Sequence, residues 1–313
     1  MPELNFRDSR SSSGNILNAD SELDLYQQKL WFNINFENNK NPKKNLDPNL
    51  NVRMFSCNVD DYWDLLTKDI TPSRKLCNLF WLDLPWRLLE KRLGSLNILD
   101  YGCSTGNYAI NFMEWTDVSF SYHGYDVSHK NIWEERCALH DNLKFTQYKG
   151  EFRLSNLSSE FNYFMSQSAM EHVNHDLTYF QVIADYLTDI KKPAIQIHLI
   201  PSAACFELYG LHGVRQYTPR TISKISSLFP KAICTLFCLG GQASNEIHRQ
   251  AITIPELNNT QDWRINYLFD YDRLLKKAIE NDMSSPNLDP SFYALVIESG
   301  VNTTLFHAKA VNS

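Results

Sequence analysis

The sequence predicts an α/β fold: a seven-stranded, mostly parallel sheet with helices on both faces, behind an N-terminal extension. Two observations predict it. Between residues 96 and 200, short apolar runs alternate with helical patterns, as repeated strand–helix–strand units do. Glycines and carboxylates stand at the ends of successive runs, where an open α/β sheet has its binding crevice. The 313 residues, 43% apolar and 13% aromatic, supply a substantial core. We divide the chain into an extension, 1–70, and a folded domain, 71–313.

The elements follow in order. Residues 23–36 are apolar enough for one short docked helix. The polar run 37–51, ENNKNPKKNLDPNLN, buries little and reads as a loop or mobile linker. Residues 60–66 suggest a helical turn. Leucines at near-helical spacing over 72–93 predict a helix broken at Pro85 and ended by Gly94. Strands are expected at 96–102, 120–126, 143–150, 163–168 and 193–200. Helices are expected between them at 108–116, 129–141 and, as one long amphipathic piece, 169–190. After a helix at 218–229, the runs 231–239 and 292–299 suggest a hairpin-like pair at one sheet edge. Residues 263–283 read as a further helix.

Composition excludes several classes. The net charge of −6 argues against a nucleic-acid partner. Seven cysteines, an odd number in a chain long enough to have a real core, point to reduced thiols. The N-terminus has no secretory pattern, and no run approaches the roughly 20 apolar residues of a membrane span. A cytoplasmic location is expected.

The sharpest motif is ILDYGCSTGNY, 98–108. A strand ends at Asp100, and the turn carries Gly102, Cys103, Ser104 and Gly106. Such a turn lets backbone approach a ligand closely. Its glycine spacing is not the G-x-G-x-x-G of dinucleotide enzymes, which argues against an NAD-linked oxidoreductase. Asp126 ends the second strand, placed to accept two ribose hydroxyls. Glu151 and Phe152 follow the third strand, placed for an adenine amino group and its ring face.

These segments together resemble the class I S-adenosylmethionine-dependent methyltransferases. ILDYGCSTG resembles their first motif, with Asp100 as its acid and Ser104 in place of the usual middle Gly. YHGYDVS resembles the ribose segment, NLKFTQYKGEF the adenine segment, and FNYFMSQSAMEHV the fourth-strand segment, with Asn162 in place of its Asp. The resemblance spans 96–229 and its expected continuation reaches 299. It implies a Rossmann-like sheet and S-adenosyl-L-methionine as cofactor. It implies a cofactor site of Asp100, Gly102, Cys103, Ser104, Gly106, Asp126, Glu151, Phe152 and Ser168. The D/N-P-P-(Y/F/W) element of amino-base methylation is absent after the fourth strand, which weakens DNA targets.

Methyl transfer to a hydroxyl needs a base. His172, in MEHV, is one candidate. With His175 and Asp176 it also offers an i, i+3, i+4 set, but nothing completes a metal site there, and none is assigned. His198 and Gln196 share one face of a strand, read as core. Residues 201–220 follow the fifth strand, where this family builds its acceptor pocket. There His212 is the best base candidate, and Tyr209, Arg215 and Tyr217 are expected to bind the acceptor. Cys234 and Cys238 read as same-face buried thiols. The reading is a methyltransferase acting on a small-molecule acceptor, a hydroxyl of a sugar or other metabolite. The alternatives are an RNA or protein methyltransferase, or a non-catalytic subunit of the same fold.

Overall fold

The computed structural model describes residues 7–150, 152–154, 160–285 and 289–306. Its strands are β1 (Leu50–Met54), β2 (Leu96–Tyr101), β3 (Phe120–Asp126), β4 (Leu143–Gln147), β5 (Tyr163–Gln167), β6 (Ala194–Pro201), β7 (Ile233–Leu239) and β8 (Phe292–Ser299). They form one sheet in the order β1-β7-β8-β6-β5-β2-β3-β4. β8 runs antiparallel to β6 and β7, and every other pairing is parallel. The α/β reading and the parallel core hold.

Period-two patterning divides the core between the two faces of the sheet. Met165 of β5 and Ile195, Ile197 and Leu199 of β6 face one cluster with Trp81 and Phe112. Phe164 of β5 and Ala194 and Ile200 of β6 face the other, with Tyr179, Phe180 and Ile183. β5 and β6 are buried throughout, as central parallel strands covered on both sides must be. The helix Pro72–Leu82 starts with Thr71 capping Arg74 N–H and Pro72 in its first turn. It breaks before Pro85, and Trp86–Leu93 ends at Gly94 with φ 77°.

Three expectations change. The sheet has an eighth strand. The polar run 37–51 ends in β1, which pairs with β7 from Leu50↔Cys234 to Met54↔Cys238. Its five residues, LNVRM, alternate apolar and polar, but the run is short and follows an Asn-rich polar stretch, and it forms a strand along the open edge of β7. The 231–239 and 292–299 pair is antiparallel as expected but does not form the edge. β8 inserts between β6 and β7, and β1 covers the outside of β7. The helix expected from residue 169 begins only at Asp176; before it stand a single 3₁₀ turn, Met170–His172, and an extended Val173. The cause is Arg215. Its guanidinium donates to the carbonyls of Met170, Val173 and Asn174, while Asn18 donates to that of His172, so the carbonyls of residues 172–174 are taken by partners outside a helix ladder.

The extension packs on this region. Ser12 donates through N–H and hydroxyl to the buried Asp176 carboxylate, and Trp31 Nε1 donates to Gly213 O at 3.0 Å. Ser12 and Trp31 are fully buried.

Candidate functional site

Two short turns bring the site together. In the first, after β2, Gly102 N–H donates to Tyr125 O at 2.7 Å, tying the turn to the end of β3. Gly102 and Gly106 have φ of 78° and 79°, and Ser104 φ of 50°, in the left-handed region. A Cβ on Gly102 would lie 2.4 Å from Ala169 Cβ, and one on Gly106 2.3 Å from Phe145 Cε1. The glycines therefore allow the turn to pack on the ends of β4 and β5. The helix Ile132–Leu139 holds it from outside: Trp133 Nε1 donates to Ser104 O, and Arg136 to Thr105 O. The second turn follows β5. Ser168 there also has a left-handed φ of 49°, held by its N–H to Leu199 O at 2.9 Å.

Between the turns opens a cavity of about 650 Å³. Gly102, Ser104, Asp126, Phe152 and Ser168 line it, as do Tyr101, Tyr148, Ala169, His172 and Tyr179. Asp126 accepts Ser104 N–H at 2.8 Å and Ser128 N–H at 2.9 Å. Tyr101 is in ring contact with Phe152 and Tyr179, and Tyr125 stacks on Tyr148 at 4.5 Å, making one wall aromatic. Glu151 lies outside the described residues. Asp100, Cys103 and Gly106 do not line the cavity; they stand behind the turn. Asp100 is buried, accepts from Tyr122 OH, and is pushed up to about 7 by burial, which Asp126 nearby reinforces and the Tyr122 bond opposes. Burial likewise pushes the Cys103 thiol up. These residues shape the turn and touch no open space.

A second cavity of about 350 Å³ adjoins the first and shares Ser168 and His172 with it. Thr71, Ser73, Arg74, Glu171, Tyr209 and His212 line it. His172 and His212 meet edge to face, with ring centroids 4.8 Å apart. Asp20 of the extension joins them. It pairs with His172 Nδ1, lies 3.6 Å from His212 Nδ1, and accepts Gly213 N–H at 3.1 Å. Partial burial works to raise the Asp20 carboxyl, but Gly213 N–H and His172 outweigh it and hold it below the usual range. Burial, then the neighbouring His172, keep His212 below the ordinary imidazole value. Burial pushes the Glu171 carboxyl up to about 7.

No family model matches this chain. No curated protein matches it in sequence either. Among solved structures, it is similar to a putative sarcosine dimethylglycine methyltransferase from Galdieria sulphuraria, at 15% identity and TM-score 0.43, over 72% of this chain and 86% of that one. It is similar to the [4+2]-cyclase SpnF, at 13% and 0.42, over 69% and 80%. It is similar to a SAM-dependent methyltransferase from Archaeoglobus fulgidus, at 13% and 0.41, over 73% and 95%.

Arg215 and Tyr217, expected to hold the acceptor, are placed elsewhere. Both are fully buried and line neither cavity. Arg215 is occupied by the three carbonyls of residues 170–174, the Ser11 and Ser13 hydroxyls, and Asp176 at 3.5 Å. Tyr217 OH lies 3.0 Å from Asp176 Oδ2 and 3.1 Å from Met170 O, either of which can accept its proton. The i, i+3, i+4 set also dissolves: His172 turns to Asp20, His175 lies 3.3 Å from Asp8, and Asp176 is spent on Ser12. His198 is core, its Nδ1 at 2.8 Å from Ser166 Oγ. The residues that sequence reasoning missed are Asp20, Arg74, Tyr101 and Glu171. Tyr101 and Glu171 each sit next to a residue already singled out; Asp20 and Arg74 carry no local signal.

Proposed function

We propose that this protein is an S-adenosylmethionine-dependent methyltransferase acting on a hydroxyl group of a small, sugar-like metabolite. One observation carries the reading: two cavities of different chemistry meet at Ser168 and His172. The larger has a carboxylate at the tip of the second core strand, β3, for a ribose and aromatic faces for an adenine. The smaller holds imidazoles and a carboxylate beside the junction. Both volumes fall within the roughly 300–1,000 Å³ of small-molecule sites.

In this reading Gly102, Ser104, Asp126, Phe152 and Ser168 would hold the donor, which would supply an activated methyl group beside the junction. The acceptor oxygen attacks in line: the O–CH₃ bond forms as the S–CH₃ bond breaks, and the electron pair stays on sulfur, giving S-adenosylhomocysteine. The chain holds the two reactants in contact, which is most of the work. His172 and His212, with Asp20 behind them, serve removal of the hydroxyl proton. Tyr209 and Arg74 line the acceptor side, and Arg74 is already held by Tyr108 OH at 3.0 Å. No helix among the described residues is long and apolar enough to cross a membrane.

Calorimetry tests the donor half: S-adenosylhomocysteine binds and raises the thermal midpoint, and NAD does not. Heat with NAD and none with S-adenosylhomocysteine overturns it. For the acceptor half, His212→Ala leaves cofactor affinity intact, since His212 lines only the smaller cavity, and cuts turnover roughly 10²–10⁴-fold. Full turnover in the variant overturns that role.

A further inference from the structure

We propose that Glu171, His172 and His212 form a site for one divalent first-row transition-metal cation at the acceptor side of the junction. One ligand atom from each lies within 4.8 Å of the others. The three come from separate places: the 3₁₀ turn after β5 supplies two, and the loop after the short helix Cys205–Tyr209 supplies the third.

The tautomer is arranged for coordination. A metal-bound imidazole presents one nitrogen to the ion and gives its other N–H to a carboxylate. Asp20 takes His172 Nδ1 and so leaves Nε2, which stands 3.8 Å from Glu171 Oε1. The same carboxylate faces His212 Nδ1. Asp20 thus orients the His172 ring from behind, with His212 Nδ1 3.6 Å from its other oxygen.

A second, independent observation points to a ligand. Glu171 is 1% exposed, lines the smaller cavity, and its Oε2 has no hydrogen-bond partner among the described residues. An unsatisfied buried carboxylate oxygen is costly. A bound cation supplies what it lacks. Two imidazoles with one carboxylate suit Zn²⁺ and its first-row neighbours; Mg²⁺ and Ca²⁺ prefer all-oxygen sets. Three protein ligands leave coordination positions open, as catalytic sites do.

For its catalytic meaning the site rests on the methyl-transfer reading. An acceptor hydroxyl in an open position is acidified by the cation. Its O–H bond breaks, the proton passes to solvent, and the oxygen, still on the cation, takes the methyl. The imidazoles then serve proton removal as ligands.

The test uses the full-length, metal-free protein titrated with Zn²⁺, with metal content measured after dialysis. The expected result is one Zn²⁺ per chain. Glu171→Gln and His212→Ala each weaken binding by at least about tenfold, and Asp20→Asn weakens it by roughly 10–100-fold. Should Glu171→Gln fail to fold, His212→Asn gives the same readout from a side chain that is 40% exposed. Substoichiometric binding by the wild type, or binding that no variant changes, overturns the proposal. The titration needs neither cofactor nor acceptor. Failure of the wild type to bind Zn²⁺ while it binds S-adenosylhomocysteine therefore sinks the cation site alone. The reverse sinks the methyl-transfer reading alone.

Discussion

Asp126 uses both carboxylate oxygens before any ligand arrives, one on Ser104 N–H and one on Ser128 N–H. Each oxygen keeps acceptor capacity, so the same group can hold the glycine turn and a ribose. Removing it therefore has two effects in the same direction. Asp126→Ala should weaken S-adenosylhomocysteine binding by about 1–3 kcal/mol in calorimetry, with the fold retained. Unchanged affinity would move the ribose elsewhere. Ser168 is the other decisive residue. It holds a left-handed backbone where the two cavities meet, at the end of a fully buried strand. Strain of this kind persists where surrounding structure enforces it, and here the N–H bond to β6 does so.

Among the elements, β6 carries the clearest pH signature. His198 is buried between Ser166, Tyr179 and Phe180, and burial pushes its imidazole down to about 3. The unfolded chain takes up that proton near the ordinary value of 6.5, and the folded one refuses it. This contribution to stability is complete above pH 6.5 and shrinks as pH falls from there towards 3. His198→Gln should therefore lose less of its thermal midpoint than the wild type between pH 6.5 and 4. Parallel midpoint curves for the two proteins would contradict the account. The 3₁₀ turn after β5 is the opposite case, an element set by partners from outside. Its carbonyls answer to Arg215 and Asn18, so its side chains, Glu171 and His172, face the smaller cavity.

At the scale of the whole molecule, the N-terminal segment acts as part of the site. Ser11, Ser13 and Asn15 surround the buried Arg215, Asp176 holds Ser12, and Asp20 pairs with His172. A buried cation that loses its partners costs about 3–5 kcal/mol. Deleting residues 1–22 should lower the thermal midpoint. It should also weaken S-adenosylhomocysteine binding, because His172, Val173 and Asn174 line the larger cavity and lose part of their support. A truncated protein with both quantities unchanged would show that the segment is dispensable.

The sequence by itself determined the parallel core of the sheet and the turns that border the larger cavity. Strand runs, glycine turns and Asp126 are local patterns, and period-two burial and left-handed turns are local physics, legible without knowing what packs where. Phe152 follows from its position just past a strand end, and Ser168 comes only with the family resemblance. The acceptor side was not legible in the same way. Arg215 and His212 lie three residues apart in one loop, yet one is sealed in the core and the other borders a cavity. Asp20 meets its histidines across more than 150 residues of chain, and β1 exists only because β7 offers an open edge. Such pairings are set by long-range packing and by which buried polar groups find partners, and only the tertiary structure decides those.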